Sequence, residues 1–183
     1  TCSSAEGTEV AVGIRYAATS THNASNPALA VAQTALLIPA SGRSTIIDSS
    51  NGFIYGLQTG ISSIDSFIDI AEGYQIDCVQ TAGGFGTGTV IHVMKNGEVV
   101  KSYTVVIFGD VNGDGNITGI DAGILVNVEN YVTSWNSETD AAYLKAGDIN
   151  GDGNITGVDA GIAVDAENYV RSIDQITGIA PIG

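Results

Sequence analysis

The sequence predicts an α+β chain in which a mostly-β region, residues 1–107, packs against a small all-α unit, residues 108–183, built from two loop–helix repeats. Three observations carry this. The first 107 residues are rich in Thr, Ser, Gly, Val and Ile, show little helical periodicity, and in their later part alternate apolar with polar residues as half-buried strands do. The segment from Gly109 to Ile124 then returns from Gly147 to Ile162, a period of 38 residues, changed only where Ile149 stands for Val111 and Val158 for Ile120. Finally, the strand ending at Phe108 runs into the first copy with no flexible linker, so the two parts are expected to pack rigidly.

Taken in order, residues 9–16 and 35–39 read as strands with a polar loop at 18–27 between them. From Gly60 to Gly73 the apolar residues Ile61, Ile64, Phe67 and Ile68 fall at helical spacing, and Ser62 with Asp65 resembles a capping pair, which predicts one short helix on the sheet. Residues 90–94 and 99–108 read as a hairpin joined by Lys95-Asn96-Gly97-Glu98, because Asn-Gly supplies the positive φ angles of a tight turn. The repeats occupy residues 109–132 and 147–170. A connector over 133–146 separates them, with a helical turn or two expected at 141–145. Behind the first loop Ile124, Val128, Tyr131 and Val132 follow a helical stripe, as do Ile162, Ala166, Tyr169 and Val170 behind the second.

Charge narrows the range of partners. Six Lys and Arg against twenty Asp and Glu give a net charge of −14, which repels phosphate backbones and anionic lipid surfaces. Nucleic acid and membrane insertion are therefore not expected. No apolar stretch is long enough to span a bilayer and no signal sequence opens the chain, which reads as a processed or excised fragment. Cys2 and Cys78 lack the close pairing of a redox or zinc motif, leaving a disulfide or two unrelated thiols.

The chemistry lies in the repeats. Oxygen-bearing side chains stand at loop positions 1, 3, 5 and 12: Asp110, Asn112, Asp114 and Asp121, then Asp148, Asn150, Asp152 and Asp159. A hard cation takes about six to eight oxygens, and alternating ligand with spacer turns every second side chain inward. Gly115 and Gly153 at position 6 allow the sharp turn, and the backbone carbonyls of Asn116 and Asn154 at position 7 add another oxygen. Position 12 is expected to close the site bidentately. Two Ca2+ ions are expected; Mg2+ prefers tighter octahedral geometry, and zinc would need thiolate or clustered imidazole. Ile117 and Ile155 at position 8 are expected to pack inward and pair the loops. No helix precedes the first loop, so each unit is half an EF-hand. Excess carboxylate in each loop repels itself until a cation enters, so folding is linked to metal and chelation should unfold the C-terminal half first.

A duplicated Asp-x-Asn-x-Asp-Gly loop with Asp at position 12 and a trailing helix resembles the dockerin family of cellulosomes and related bacterial assemblies, over roughly residues 109–170. The resemblance implies a calcium-ordered pair of helices that docks a cohesin domain of a scaffold or cell-surface protein, on a secreted or cell-surface bacterial protein that is a monomer when unbound. It places partner contacts at loop positions 10 and 11 and helix positions 17 and 18: Gly119, Ile120, Val126 and Asn127, then Gly157, Val158, Val164 and Asp165. These are mostly small or aliphatic where many dockerins carry hydroxyl and basic residues, which implies an apolar interface. Near-identity of the copies implies binding in two orientations related by half a turn. The β-rich region resembles the X-modules that precede some dockerins, with a supporting role. The implied function is non-catalytic assembly of a polysaccharide-degrading complex.

Other readings are weaker. Gly83-Gly84-Phe85-Gly86-Thr87-Gly88 has the look of a nucleotide-binding loop, but a strand follows, so no helix N-terminus meets a phosphate and a strand-entry turn is expected. His22 and His92 are isolated, and Asp65 with Asp69 lies on the expected exposed helix face, so no enzyme is expected within these residues. A calcium sensor would need a groove opened by metal and a cytosolic setting. The competing class is a calcium-stabilised structural domain of a bacterial surface protein with no cohesin partner, in which the faces around Ile120, Val126, Val158 and Val164 are buried within the chain.

Overall fold

The computed structural model describes residues 35–180, which belong to one compact unit, Thr34–Gly183. The strand expected at 9–16, the loop at 18–27, His22, and Cys2 with its pairing to Cys78 lie outside the described residues. Among the described residues the architecture is α+β: seven strands, β1 (Leu37–Pro39), β2 (Ile46–Asp48), β3 (Phe53–Tyr55), β4 (Ile68–Ile70), β5 (Gln75–Val79), β6 (Val90–Lys95) and β7 (Glu98–Val105), precede helices α1 (Gly119–Glu129), α2 (Ala141–Gly147) and α3 (Gly157–Glu167).

The hairpin forms where Asn-Gly places it, with Asn96 at φ 54° and Gly97 at φ 85° between β6 and β7. Alternation sets its faces: Ile91, Val93, Tyr103 and Val105 are buried, while the His92 ring and the Ser102 hydroxyl share a hydrogen bond of 2.8 Å on the other side. Around this hairpin the main sheet has the order β2-β3-β7-β6-β5, antiparallel except that β3 lies parallel to β7. The strand expected to reach Phe108 ends at Val105, and Val106, Ile107 and Phe108 continue as buried chain toward the first repeat.

The helix expected between Gly60 and Gly73 does not form. Ile64 and Phe67 are buried around a single turn closed by Phe67 N–H donating to the Ile64 carbonyl at 2.8 Å, and the chain then enters β4, which pairs antiparallel with β1. Local polar groups win over helix. The Ser63 hydroxyl bonds the Asp65 carboxylate and accepts from the Asp65 amide, the kind of side-chain competition that favours turns. The apolar spacing read as helical is a turn and a strand facing one core, and Asp65 and Asp69 are exposed on those elements rather than on a helix.

Among the described residues two apolar clusters fill the interior. One lies within the β region and centres on Ile54, Leu57, Ile64, Ile91, Val93, Val105 and Ile107. The other joins the two regions: Leu125, Ile149, Ala146, Ala163 and Ile162 pack with Val106, Phe108, Phe53 and Tyr55. Each fully buried Leu, Ile or Val side chain here contributes about 1.5–3 kcal/mol relative to exposure. Tyr55 and Phe108 meet edge to face at 5.8 Å, and the Lys145 ammonium lies over both rings at 4.7 and 5.3 Å.

The tail after α3 fastens this junction. The Gln175 side chain accepts from Phe108 N–H and donates to the Phe108 carbonyl, both at 2.8 Å, and its own backbone carbonyl accepts from Gly56 N–H. Gly178, at φ 77°, sits where a Cβ would come within 2.4 Å of the Phe108 ring. Gln175→Leu leaves both Phe108 backbone groups without their partner and is expected to destabilise the protein by about 2–4 kcal/mol. Thermal unfolding monitored by circular dichroism checks this; an unchanged midpoint would mean that water replaces the amide at no cost.

Candidate metal loops and docking face

Each loop is organised by its own carboxylates. In the first, Asp110 Oδ1 accepts from Gly113 N–H at 2.7 Å and Oδ2 from Gly115 N–H at 2.9 Å. Asp114 Oδ1 accepts from Asn116 N–H at 2.8 Å, and Asp114 N–H donates to Asn112 Oδ1 at 2.8 Å. The second loop repeats this: Asp148 accepts from Gly151 and Gly153 N–H, and Asp152 from Asn154 N–H. The position 6 glycines stand at φ 83° and 84°, the left-handed region that glycine enters without a steric cost.

Position 12 ties each loop to its helix. Asp121 Oδ1 accepts from Val111 and Asn112 N–H, and Oδ2 from Thr118 N–H and hydroxyl. Asp159 does the same with Ile149, Asn150 and Thr156. Thr118 and Thr156 are the N-caps of α1 and α3, and with Asp121 and Asp159 they form capping boxes. The sequence reading passed over these threonines, although Thr-x-x-Asp ahead of an apolar run is the signal for them. Both oxygens of each position 12 carboxylate are committed to loop backbone, so ligation of a cation there shares or exchanges these bonds.

The donor set fits a hard cation on two counts. Asp110, Asp121 and Asp159 are fully buried, yet the ion pair found among the described residues is elsewhere, Arg171 with Asp165 at 3.6 Å. Asp110 is pushed up to about 6, chiefly because burial strips water from its charged form, with Asp121 adding to the rise and the amides of Thr87, Gly113 and Gly115 opposing it. A buried carboxylate without a basic partner is relieved by a bound cation. Among the described residues no three His, Cys, Asp or Glu side chains cluster as a metal site by themselves, so each loop depends on its asparagine oxygens and backbone carbonyls as well.

The helices behind the loops differ from expectation in which residues they bury. Ala122 and Leu125 of α1, and Ala160, Ile162 and Ala163 of α3, enter the core, and Ile117 and Ile155 pack half-buried against it. Tyr131, Val132, Tyr169 and Val170, expected on the inner stripe, are exposed; the two tyrosines are 90% and 96% accessible. The helices end before them. Tyr131 N–H donates to the Val128 carbonyl and Val132 N–H to that of Asn127, with Tyr131 at φ 58°, a Schellman closure repeated at Tyr169 and Val170. Counting the 3.6-residue period through that closure put four outward residues on the inner face.

α1 packs against α3, and each turns the same positions outward. Ile120 is 64% exposed and Val158 60%, Val126 40% and Val164 42%; Gly119, Asn127 and Gly157 are exposed and Asp165 half-buried. Isolated exposed aliphatics are ordinary, but here the same ones recur in both copies.

Residues 108–162 match the family model of the dockerin type I domain. No curated protein and no solved structure gives a significant match to the chain. Dockerin domains are non-catalytic, calcium-binding units that dock cohesin domains, and proteins carrying them are typically extracellular or cell-surface bacterial proteins. Among the described residues no helix is long and apolar enough to cross a membrane.

Proposed function

We propose, from the premise that residues 108–162 are a dockerin type I module, that the chain plugs a secreted or cell-surface bacterial protein into a cohesin-bearing scaffold of a cellulosome-like, polysaccharide-degrading assembly. Two Ca2+ ions are held, one by Asp110, Asn112, Asp114, Asn116 and Asp121, the other by Asp148, Asn150, Asp152, Asn154 and Asp159. Calcium supplies the positive charge that lets each crowded loop close onto its helix. Cohesin binds across Gly119, Ile120, Val126 and Asn127 and their counterparts Gly157, Val158, Val164 and Asp165. The unbound chain is a monomer. Residues 1–107 form a supporting X-module-like domain for the dockerin at 108–183, and the net charge of −14 disfavours nucleic acid and anionic membranes.

The observation that carries this reading is the exposure of Ile120, Val126, Val158 and Val164 on both copies, since a purely structural role for the repeats would bury them. One observation favours the structural alternative in part: the first loop is itself covered by the β region, so calcium there also supports the fold. Calorimetric titration of the full chain against a panel of cohesins, in calcium and in excess chelator, separates the two. One-to-one binding that vanishes with chelator is expected. Calcium-stabilised folding with no binding to any cohesin would leave the structural reading.

A further inference from the structure

We infer that the glycine-rich turn at residues 83–88 is a cover built onto the first calcium loop, so that two loops of nearly identical sequence release calcium at different rates, the first slowly and the second fast. This rests on the reading of both loops as calcium sites.

The two loops sit in different surroundings. Position by position, Asp110, Gly113 and Gly115 are buried where Asp148 is half-buried and Gly151 and Gly153 are exposed, and Asp114 is half-buried where Asp152 is exposed; Asn116 and Asn154 are exposed in both. Three bonds from the β region reach the first loop. Thr87 N–H donates to Asp110 Oδ2 at 2.8 Å, the Thr81 hydroxyl donates to the Gly113 carbonyl, and Gly60 N–H donates to the Gly115 carbonyl at 2.8 Å. Among the described residues Asp148 accepts only from Gly151, Asp152 and Gly153 within its own loop.

Contact is close enough to require glycine. A Cβ on Gly86 would stand 2.4 Å from Asp110 Oδ2 and 2.4 Å from Gly115 N, and one on Gly115 would stand 2.4 Å from the Phe85 carbonyl oxygen. A Cβ on Gly153 would meet nothing within 4 Å. Gly86 has no positive φ, so its need for glycine is steric and comes from the loop beneath it. Of the glycines that superficially suggest a phosphate loop, Gly83 and Gly86 thus let this turn approach the first loop, while Gly84 and Gly88 serve the turn's own positive φ angles. An ion under this cover leaves when the turn lifts and the Thr81, Thr87 and Gly60 bonds break together. The second loop is touched by the C-terminal tail, through Ala180 N–H on the Ile149 carbonyl and Ile179 against Gly151, contacts that leave its position 1 carboxylate uncovered.

The test mixes the calcium-loaded full chain with excess fluorescent chelator in a stopped-flow instrument. Two phases of equal amplitude are expected, one ion each, with rates at least tenfold apart, and Asp148→Ala should remove the fast phase alone. Gly86→Ala should speed the slow phase at least tenfold and leave the fast one unchanged. Thr81→Val, which keeps the side-chain shape and deletes the hydroxyl bond, should speed the slow phase severalfold and gives the same information if Gly86→Ala does not fold. Two ions leaving at one rate, or a slow phase indifferent to Thr81→Val, would overturn the cover while leaving the calcium sites standing; a chain that takes up no calcium when it is loaded would overturn both.

Discussion

Asp110→Asn combined with Asp148→Asn is expected to abolish calcium-dependent binding to a cohesin, lowering affinity by at least a thousandfold. Asparagine keeps the side-chain shape and one acceptor oxygen at each loop's first position while removing the charge; its Nδ2 then faces loop N–H groups that the second oxygen accepted, so it disturbs the loop, though less than truncation does. Alanine removes both acceptors. Asp110 accepts three amide N–H groups, from Thr87, Gly113 and Gly115, and truncation would strand all three in a buried site at about 1–3 kcal/mol each. Asp110→Ala should therefore destabilise the fold more than Asp148→Ala, whose surroundings are open. Calorimetry with calcium, then with cohesin, reads the double asparagine variant; affinity retained within about threefold would show that neither position 1 carboxylate is needed to order the docking helices.

The second large effect is expected from Ile120→Asp together with Val158→Asp. Both residues lie in the first turn of a helix, 64% and 60% exposed, where substitution costs little stability and an added carboxylate complements the helix dipole. Calcium binding and thermal stability should be kept. A charge placed in the centre of an apolar interface removes about 2–4 kcal/mol, which is a loss of roughly thirtyfold to a thousandfold in affinity. If the module docks in either of two orientations, each single variant spoils the orientation centred on its own copy and loses only about twofold, so the double variant should far exceed the product of the singles. Docking unchanged in the double variant would move the interface away from these helix starts, with Tyr131 and Tyr169, exposed on both copies, as the next positions to test.

Much of this was legible because it is local. The loops declare themselves through oxygen-bearing residues at every second position and a glycine at the turn, all within 12 residues, and the structure organises each through hydrogen bonds of the same short span. The β6–β7 hairpin likewise follows from two residues, Asn96 and Gly97, whose backbone angles are nearly dictated by their chemistry. Where local signals competed, sequence spacing misled. Ile64, Phe67 and Ile68 are buried as expected, but the Ser63–Asp65 bonds and the partnership of β4 with β1 decide turn and strand over helix. Periodicity identified the helices behind the loops but not their ends, because a tyrosine adopts the left-handed conformation that sequence reading reserves for glycine.

The sequence by itself determined the two loops, their near-identity, the helices that follow and the turn of the hairpin, since each depends on residues a few positions apart. Only the tertiary structure decided that the loops are not equivalent. The parallel pairing of β3 with β7, the grip of Gln175 on Phe108, and the seating of the 83–88 turn on Asp110 join segments that are from 23 to 67 residues apart where a side chain carries the bond. Such pairings are selected by how surfaces fit after collapse, not by any short-range preference, and so a duplication written almost letter for letter ends with one copy enclosed and the other open to water.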